Sequence, residues 1–259
     1  MPSRKLYAER PGWGKDFDYD EGRHLAAYIK AAELAPGARV LDAGCGEGYG
    51  TQTLPSVAAS VVGVDYSAEA IATCRRRWQA PNLEFRVCDL TEPPADDERF
   101  DLILNFQVIE HIDYEPPFLE GLRARLAPDG TAMITTPNVL MSFSENPCHV
   151  REYTPDEFER LLGGTFSSVE LSGVFGNEKV RAFDRERRRA IERILRLDPL
   201  GIRNVLPQGL LFPVFARLGQ LVRRSAHRAS SAGNITPEDF EFSADGLEEA
   251  LDLVALCRI

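Results

Sequence analysis

The run VLDAGCGEGYG, residues 40–50, constrains the fold more than any other part of the chain. Glycines at 44, 46, 48 and 50 follow directly on an apolar stretch of strand character. That arrangement serves a chain that must turn sharply and let a ligand come close to its backbone. A dinucleotide-binding turn usually reads G-x-G-x-x-G, with its amides turned to a pyrophosphate at a helix N-terminus. Here the glycines alternate strictly, and Asp42 stands two residues before the first of them. A carboxylate there repels a pyrophosphate and attracts a cationic amino group. The turn therefore suits a ligand with an amino-acid end, and a nicotinamide-dependent oxidoreductase is the disfavoured alternative.

The surrounding pattern supplies a fold class. Residues 21–34 carry Leu25, Tyr28, Ile29 and Ala32 at helical spacing, and Pro36-Gly37 ends that helix. Strand 39–42 enters the glycine turn, and a helix is expected from the turn to Pro55. Strand 61–65, helix 68–78, strand 83–88, strand 100–105, helix 114–126 and strand 131–135 follow. Thr154-Pro-Asp-Glu starts a further helix, with Thr154 as cap and Glu157 three residues on, and 167–175 reads as strand. Alternation of this kind predicts an α/β fold with a parallel sheet covered on both faces. Residues 176–249 break the rhythm and read as a basic helical insertion, including an apolar-faced helix from Pro213 to Val222, before a final strand in 250–259. The expected divisions are an N-terminal lid and helix over 1–37, a core over 38–175, the insertion over 176–249, and the last core strand.

Acidic residues close successive strands: Asp42 the first, Asp65 the second and Asp89 the third. Asp65 is placed to accept from both hydroxyls of a ribose, and Asp89 from an adenine amino group. In these residues the chain resembles the class I S-adenosylmethionine-dependent methyltransferases, over about 38–175 and the final strand. The resemblance implies a Rossmann-like seven-stranded sheet with an antiparallel last strand. It implies S-adenosyl-L-methionine as cofactor and S-adenosyl-L-homocysteine as product. Gly44, Cys45 and Gly46 would lie under the methionine part, with Asp42 beside them. Asp65 would take the ribose, Tyr66 the adenine, and Asp89 with Leu90 its edge, while Asn105 and Gln107 close the site. FDLILNFQVIEHI, TTPN at 135–138 and NPCHVREYTPDEF at 146–158 look like methyltransferases of sugar and polysaccharide synthesis. More loosely they look like ubiquinone-biosynthesis O-methyltransferases. Those tend to carry a Glu three residues before the Glu-His pair, where this chain has Gln107, so no metal is assigned.

Methyl transfer to an alcohol needs a base for the departing proton. His149, just past the fifth strand, is the first candidate, since an imidazole titrates near neutrality; a histidine bonded to backbone at a loop junction is the alternative. Glu110 and His111 form the second candidate pair, or simply cap their turn. Arg151 and Tyr153, with Glu152 between them, can hold a substrate hydroxyl or phosphate, or cap the helix at Thr154. Trp13 and Tyr19 lie in an aromatic leader that can fold as a lid or pack on the surface. The acceptor expected is a small molecule or glycan precursor methylated on oxygen, with N- or C-methylation and a cofactor-binding scaffold without turnover as alternatives.

Charge narrows the partners. The chain carries −10 overall, but 179–228 holds 13 Lys and Arg against 4 Asp and Glu, which leaves the remainder at −19. Nucleic acid is not an expected partner, and any anion binding is local to the insertion. That segment reads as a cap or homodimer arm, or as a peripheral contact for a phosphate-bearing substrate or anionic lipid. Five scattered cysteines without a C-x-x-C pair, no secretory-type N-terminal run and no long apolar span point to the cytoplasm.

Overall fold

Helix α1 spans Asp18–Ala32, and Gly37 in the left-handed region (φ +72°) turns the chain into the first strand. Its buried face is built on Ala27, Tyr28 and Ala31, which rotates Ile29 outward to 51% exposure. The sequence pattern counted Ile29 as apolar face; the side that wins is the one where Tyr28 also finds a hydrogen-bond acceptor. In this computed structural model the described residues are 18–93, 97–142, 149–195 and 234–259.

The strands are β1 (Arg39–Ala43), β2 (Ser60–Asp65), β3 (Leu83–Val87), β4 (Phe100–Phe106), β5 (Leu126–Pro137), β6 (Ser168–Gly176), β7 (Phe240–Ser243) and β8 (Asp252–Arg258). They form one sheet in the order β3-β2-β1-β4-β5-β8-β6-β7. Pairing is parallel from β3 through β5, while β8 runs antiparallel to both β5 and β6. Helices α2 (Ala68–Arg77) and α3 (Glu115–Arg125) make the crossovers β2→β3 and β4→β5. Right-handed crossovers that step in opposite directions from the centre lie on opposite faces of the sheet. The sheet thus has eight strands rather than seven. The additional one, β7, is a short edge strand inside the stretch expected as a helical insertion with intervening turns.

The segment after the glycine turn is a 3-10 helix, Thr51–Ser56, not an α-helix, because it is short and holds Pro55. Helix α4 (Pro155–Gly163) begins with the expected capping box between Thr154 and Glu157. Both faces of the central strands are buried. Leu41, Val62, Ile103 and Ile134 join Phe118, Leu122, Phe158 and Leu253 in the main core, and Cys45, Ile71, Cys74 and Phe85 form a smaller cluster under the turn.

Among the described residues two compact units emerge from the packing, His24–Phe175 with Phe242–Ile259, and residues 18–23 with 176–195 and 234–241. In the second, α5 (Glu178–Leu195) buries Val180 and Phe183. Lys179 there reaches Asp239 at 2.7 Å. The apolar-faced helix expected over 213–222 lies outside the described residues. No helix among the described residues is long and apolar enough to cross a membrane.

Candidate functional site

The order of the strands reverses between β1 and β4, and in open α/β sheets ligands bind beyond the carboxyl ends of the strands at such a point. The glycine turn stands there. Gly44 has φ +93°, and its N–H and that of Cys45 both donate to Val64 O, at 2.8 and 2.9 Å. A Cβ at Gly44 would come within 2.4 Å of Val108, and one at Gly50 within 2.1 Å of the Tyr28 ring. Gly44→Ala is therefore expected to destabilise the protein by about 2 kcal/mol or more, through backbone strain and overlap together. Thermal denaturation should show this as a fall of roughly 4–8 °C in Tm.

Carboxylates organise the rim. Asp65, at the end of β2, accepts from Gly46 N at 3.1 Å and from Ser67 N at 2.8 Å, so it joins the turn to the start of α2. Asp42 is 1% exposed and accepts from Thr51 Oγ1 at 2.5 Å and from Tyr28 Oη at 3.0 Å. Burial pushes its carboxyl up to about 6, against the lowering effect of those two hydroxyls. Tyr28 itself is held neutral, its phenol raised by burial and by Asp42.

Asp89 is exposed and bonds its own turn through Thr91 N (2.9 Å) and Thr91 Oγ1 (2.7 Å), while Leu90 is buried. Tyr66 is 51% exposed beside Asp65. Asn105 donates to Ala43 O at 2.6 Å, tying β4 to the turn, and its buried Oδ1 has no hydrogen-bond partner among the described residues. Gln107 adopts φ +56°, rare for a residue with a side chain, with its N–H on Thr135 O at 3.1 Å.

A second constellation lies past β4 and β5. Glu110 and His111 sit on the 3-10 turn Ile109–His111, and the segment carrying His149 docks on that turn through Val150 N to Glu110 O at 2.7 Å. The His111 and His149 rings meet edge to face at 5.0 Å. Glu110, His111 and His149 each offer a ligand-type atom, all within 4.8 Å of one another. The three candidates for base chemistry thus converge, from positions nearly forty residues apart in sequence. They are also the described residues able to hold a metal ion, a possibility that Gln107 had argued against.

Glu110 is fully buried. Its Oε2 accepts from Thr136 Oγ1 at 3.2 Å, and its Oε1 has no hydrogen-bond partner among the described residues. Burial drives its carboxyl up to about 8, with His149 pulling the other way and Asp252 adding to the rise. His149 Nδ1 contacts Glu152 Oε1 at 2.6 Å, and Ser142 Oγ donates to the other oxygen of that carboxylate. With Nδ1 so engaged, a proton or a cation reaching this imidazole from a ligand must use Nε2.

Tyr153 is buried, donates to Glu115 Oε1 at 2.7 Å and carries the Arg151 guanidinium over its ring. Arg151 pairs with Glu157 at 3.3 Å, so both residues fasten the docked segment to its neighbours. Tyr19 belongs to the second unit, where it is 3% exposed, stacks near Phe183 and meets Asp184 Oδ1 at 3.3 Å. Trp13 lies outside the described residues. Arg188 and Arg189 are paired with Asp184 and Glu186, which leaves the basic helix with internal ion pairs rather than a bare cationic face. Sequence reasoning did not single out Thr51, Thr136 or Tyr49. A hydroxyl beside an acid is too common a pattern to mark them.

Comparison with known proteins bears on the whole chain. A model described as a methyltransferase domain matches residues 34–180. A Mycobacterium tuberculosis protein bearing the name "Probable S-adenosylmethionine-dependent methyltransferase" is 32% identical over 245 residues, 90% of this chain and 81% of its own length. A ubiquinone biosynthesis O-methyltransferase of Rhodopseudomonas palustris is 33% identical over 174 residues, 60% of this chain and 68% of that protein. Among solved structures, the cyclase SpnF aligns with a TM-score of 0.56 at 16% identity over 96% of this chain and 84% of its own, a likeness of fold alone.

Proposed function

The chain belongs to the class I S-adenosylmethionine-dependent methyltransferases, and from that premise we propose that it methylates a hydroxyl oxygen of a sugar, glycan precursor or other small metabolite. The observation that carries the oxygen assignment is the His149–Glu152 pair beside Glu110. A methyl acceptor that must lose a proton needs such a group, whereas an unprotonated amine does not. The O-methyltransferase name of the Rhodopseudomonas relative supports the same reading.

The residues beyond β1, β2 and β4 suit the cofactor. A turn too tight for a Cβ at Gly44, a carboxylate at the end of β2 and an orphaned buried amide oxygen on Asn105 are features a polar adenosyl ligand can use. Asp42, Gly44, Cys45, Gly46, Asp65, Tyr66, Asp89, Leu90, Asn105 and Gln107 are the residues assigned to hold it. When bound, S-adenosylmethionine supplies a methyl group on a positively charged sulfur, which leaves as a neutral thioether. The protein's work is then alignment and proton management. Glu152 fixes the His149 ring through Nδ1, the acceptor's proton passes to Nε2, and the carboxylate of Glu152 stabilises the imidazolium that results.

A second reading follows from the unpartnered Glu110 Oε1. Glu110, His111 and His149 can hold a divalent cation, which would lower the proton affinity of an acceptor oxygen bound to it. Incubation with methyl-labelled cofactor and acceptors bearing hydroxyl, amine or carbon nucleophiles tests the main proposal. Label recovered as an O-methyl ether is expected; label found only on nitrogen or carbon would overturn it.

Asp42 gives a pH-dependent expectation. Its native pKa, about 6, lies above the ordinary carboxylate value of about 4, so its ionisation costs stability as pH rises through that window. A cationic ligand beside it lowers that pKa, and binding near pH 6 should release up to about half a proton. Affinity should rise with pH through the same range. Calorimetry in buffers of different ionisation enthalpy reads the proton directly, and Asp42→Asn should abolish the release.

A further inference from the structure

We propose that Arg125 is a positioning residue that sets the selectivity of the cofactor site for a 6-aminopurine, by stapling both ends of the turn that carries Asp89 and Leu90. The inference rests on the assignment of those two residues to the adenine.

The chain leaving β3 turns at once, with Glu92 N donating to Asp89 O at 3.3 Å. Thr91 spends both its N–H and its hydroxyl on Asp89 Oδ1, which leaves Oδ2 as the oxygen that can accept from a ligand. Helix α3 holds this turn from beneath. Gly121 lets the helix come so close that a Cβ there would lie 2.3 Å from Leu90 O. One helical turn later, Arg125 reaches the two ends of the same turn. Its Nη2 lies 3.8 Å from Cys88 Sγ and donates to Glu92 O at 3.2 Å, while Nη1 donates to Gly121 O at 2.8 Å. Residues 88, 90 and 92 are thus fastened to α3, and Asp89 and Thr91 between them are exposed.

A guanidinium is a costly group to bury, and Arg125 is 7% exposed with two carbonyls and a thiol as its partners among the described residues. An apolar side chain could fill the same volume without that cost. What the guanidinium adds is direction, because its donors lie in one rigid plane and hold carbonyls of two separate segments at once. The Asp89 carboxylate is thereby kept at a fixed place on the rim. A carboxylate fixed there accepts from the 6-amino group of adenine, whereas a 6-oxo purine would turn a second acceptor toward it. A turn free to shift would lose that discrimination before it lost the ligand.

The test compares S-adenosylhomocysteine with S-inosylhomocysteine, which differ only in the amino or oxo group at position 6 of the purine. Each is titrated by calorimetry into the wild-type protein, Arg125→Met, Arg125→Lys and Asp89→Ala, and thermal denaturation follows stability separately. The wild-type protein should prefer the adenosyl ligand about tenfold or more, and Asp89→Ala should remove the preference. Arg125→Met should bring the ratio to within about threefold, chiefly by weakening S-adenosylhomocysteine. Arg125→Lys, whose single ammonium can hold one carbonyl but not the plane of both, should fall between, and it carries the test if Arg125→Met does not fold. In the Asp89→Ala background neither change should lower the ratio further, because Arg125 acts through that carboxylate. A wild-type ratio kept in the Arg125 variants, with only Tm lowered, would make Arg125 part of the scaffold and overturn the proposal alone. Equal binding of the two ligands by the wild-type protein would overturn the adenine role of Asp89 as well, and failure to bind S-adenosylhomocysteine at all would overturn the whole cofactor assignment.

Discussion

Asp65→Ala is expected to reduce cofactor affinity by about two orders of magnitude, measured by calorimetry with S-adenosylhomocysteine. The carboxylate accepts from the backbone N–H of Gly46 and of Ser67, two charge-assisted bonds that hold the glycine turn against the end of β2. Each such bond is worth about 1.5 kcal/mol or more, and the pair about 3 kcal/mol, which corresponds to roughly a hundredfold. Direct contact with the ribose hydroxyls would add to that loss. Asp65→Asn separates the two contributions, because its amide keeps one acceptor oxygen but presents N–H groups where the backbone already donates. It should fall between wild type and alanine. Near-normal affinity in Asp65→Ala would mean that the carboxylate neither shapes the turn nor meets the ligand.

The contrast between Asp65 and Glu110 marks how far the sequence could be read. Asp65 closes an apolar strand at a set distance from a glycine turn, and both features are local, so its place on the rim was legible. The capping box at Thr154 and Glu157 and most strands of the sheet were legible for the same reason. Glu110, His111 and His149 could be named singly, but their convergence depends on the chain after β5 folding back so that Val150 donates to the Glu110 carbonyl. No periodicity encodes that bond. The outward turn of Ile29 was likewise decided by tertiary contact, since Tyr28 satisfies its hydroxyl on Asp42 only in one rotation of α1. Strand β7 escaped notice because four residues at a sheet edge carry too little pattern to stand out from an Arg-rich insertion.

His149→Ala is expected to lower kcat by about a hundredfold to a thousandfold while the affinity for S-adenosylhomocysteine stays within about twofold. The split follows from position: His149 belongs to the segment docked on Glu110, whereas most cofactor-assigned residues sit on the glycine turn and the ends of β2 and β3, with Asn105 and Gln107 at the end of β4. Glu152→Gln should cost less, about tenfold in kcat, because the imidazole remains and loses only the partner that orients it through Nδ1. A cation held by Glu110, His111 and His149 predicts a different signature. Chelation would then abolish turnover of the wild-type protein, added Mg²⁺ or Mn²⁺ would restore it, and Glu110→Gln would raise the concentration of metal required. Single-turnover rates in chelator distinguish the two, since a histidine base works without a cation and a metal-bound histidine cannot also take the proton at Nε2. If His149→Ala turns over at the wild-type rate, with and without chelator, the imidazole serves only to pack its segment against Glu110 and His111, and the acceptor's proton must leave by another route.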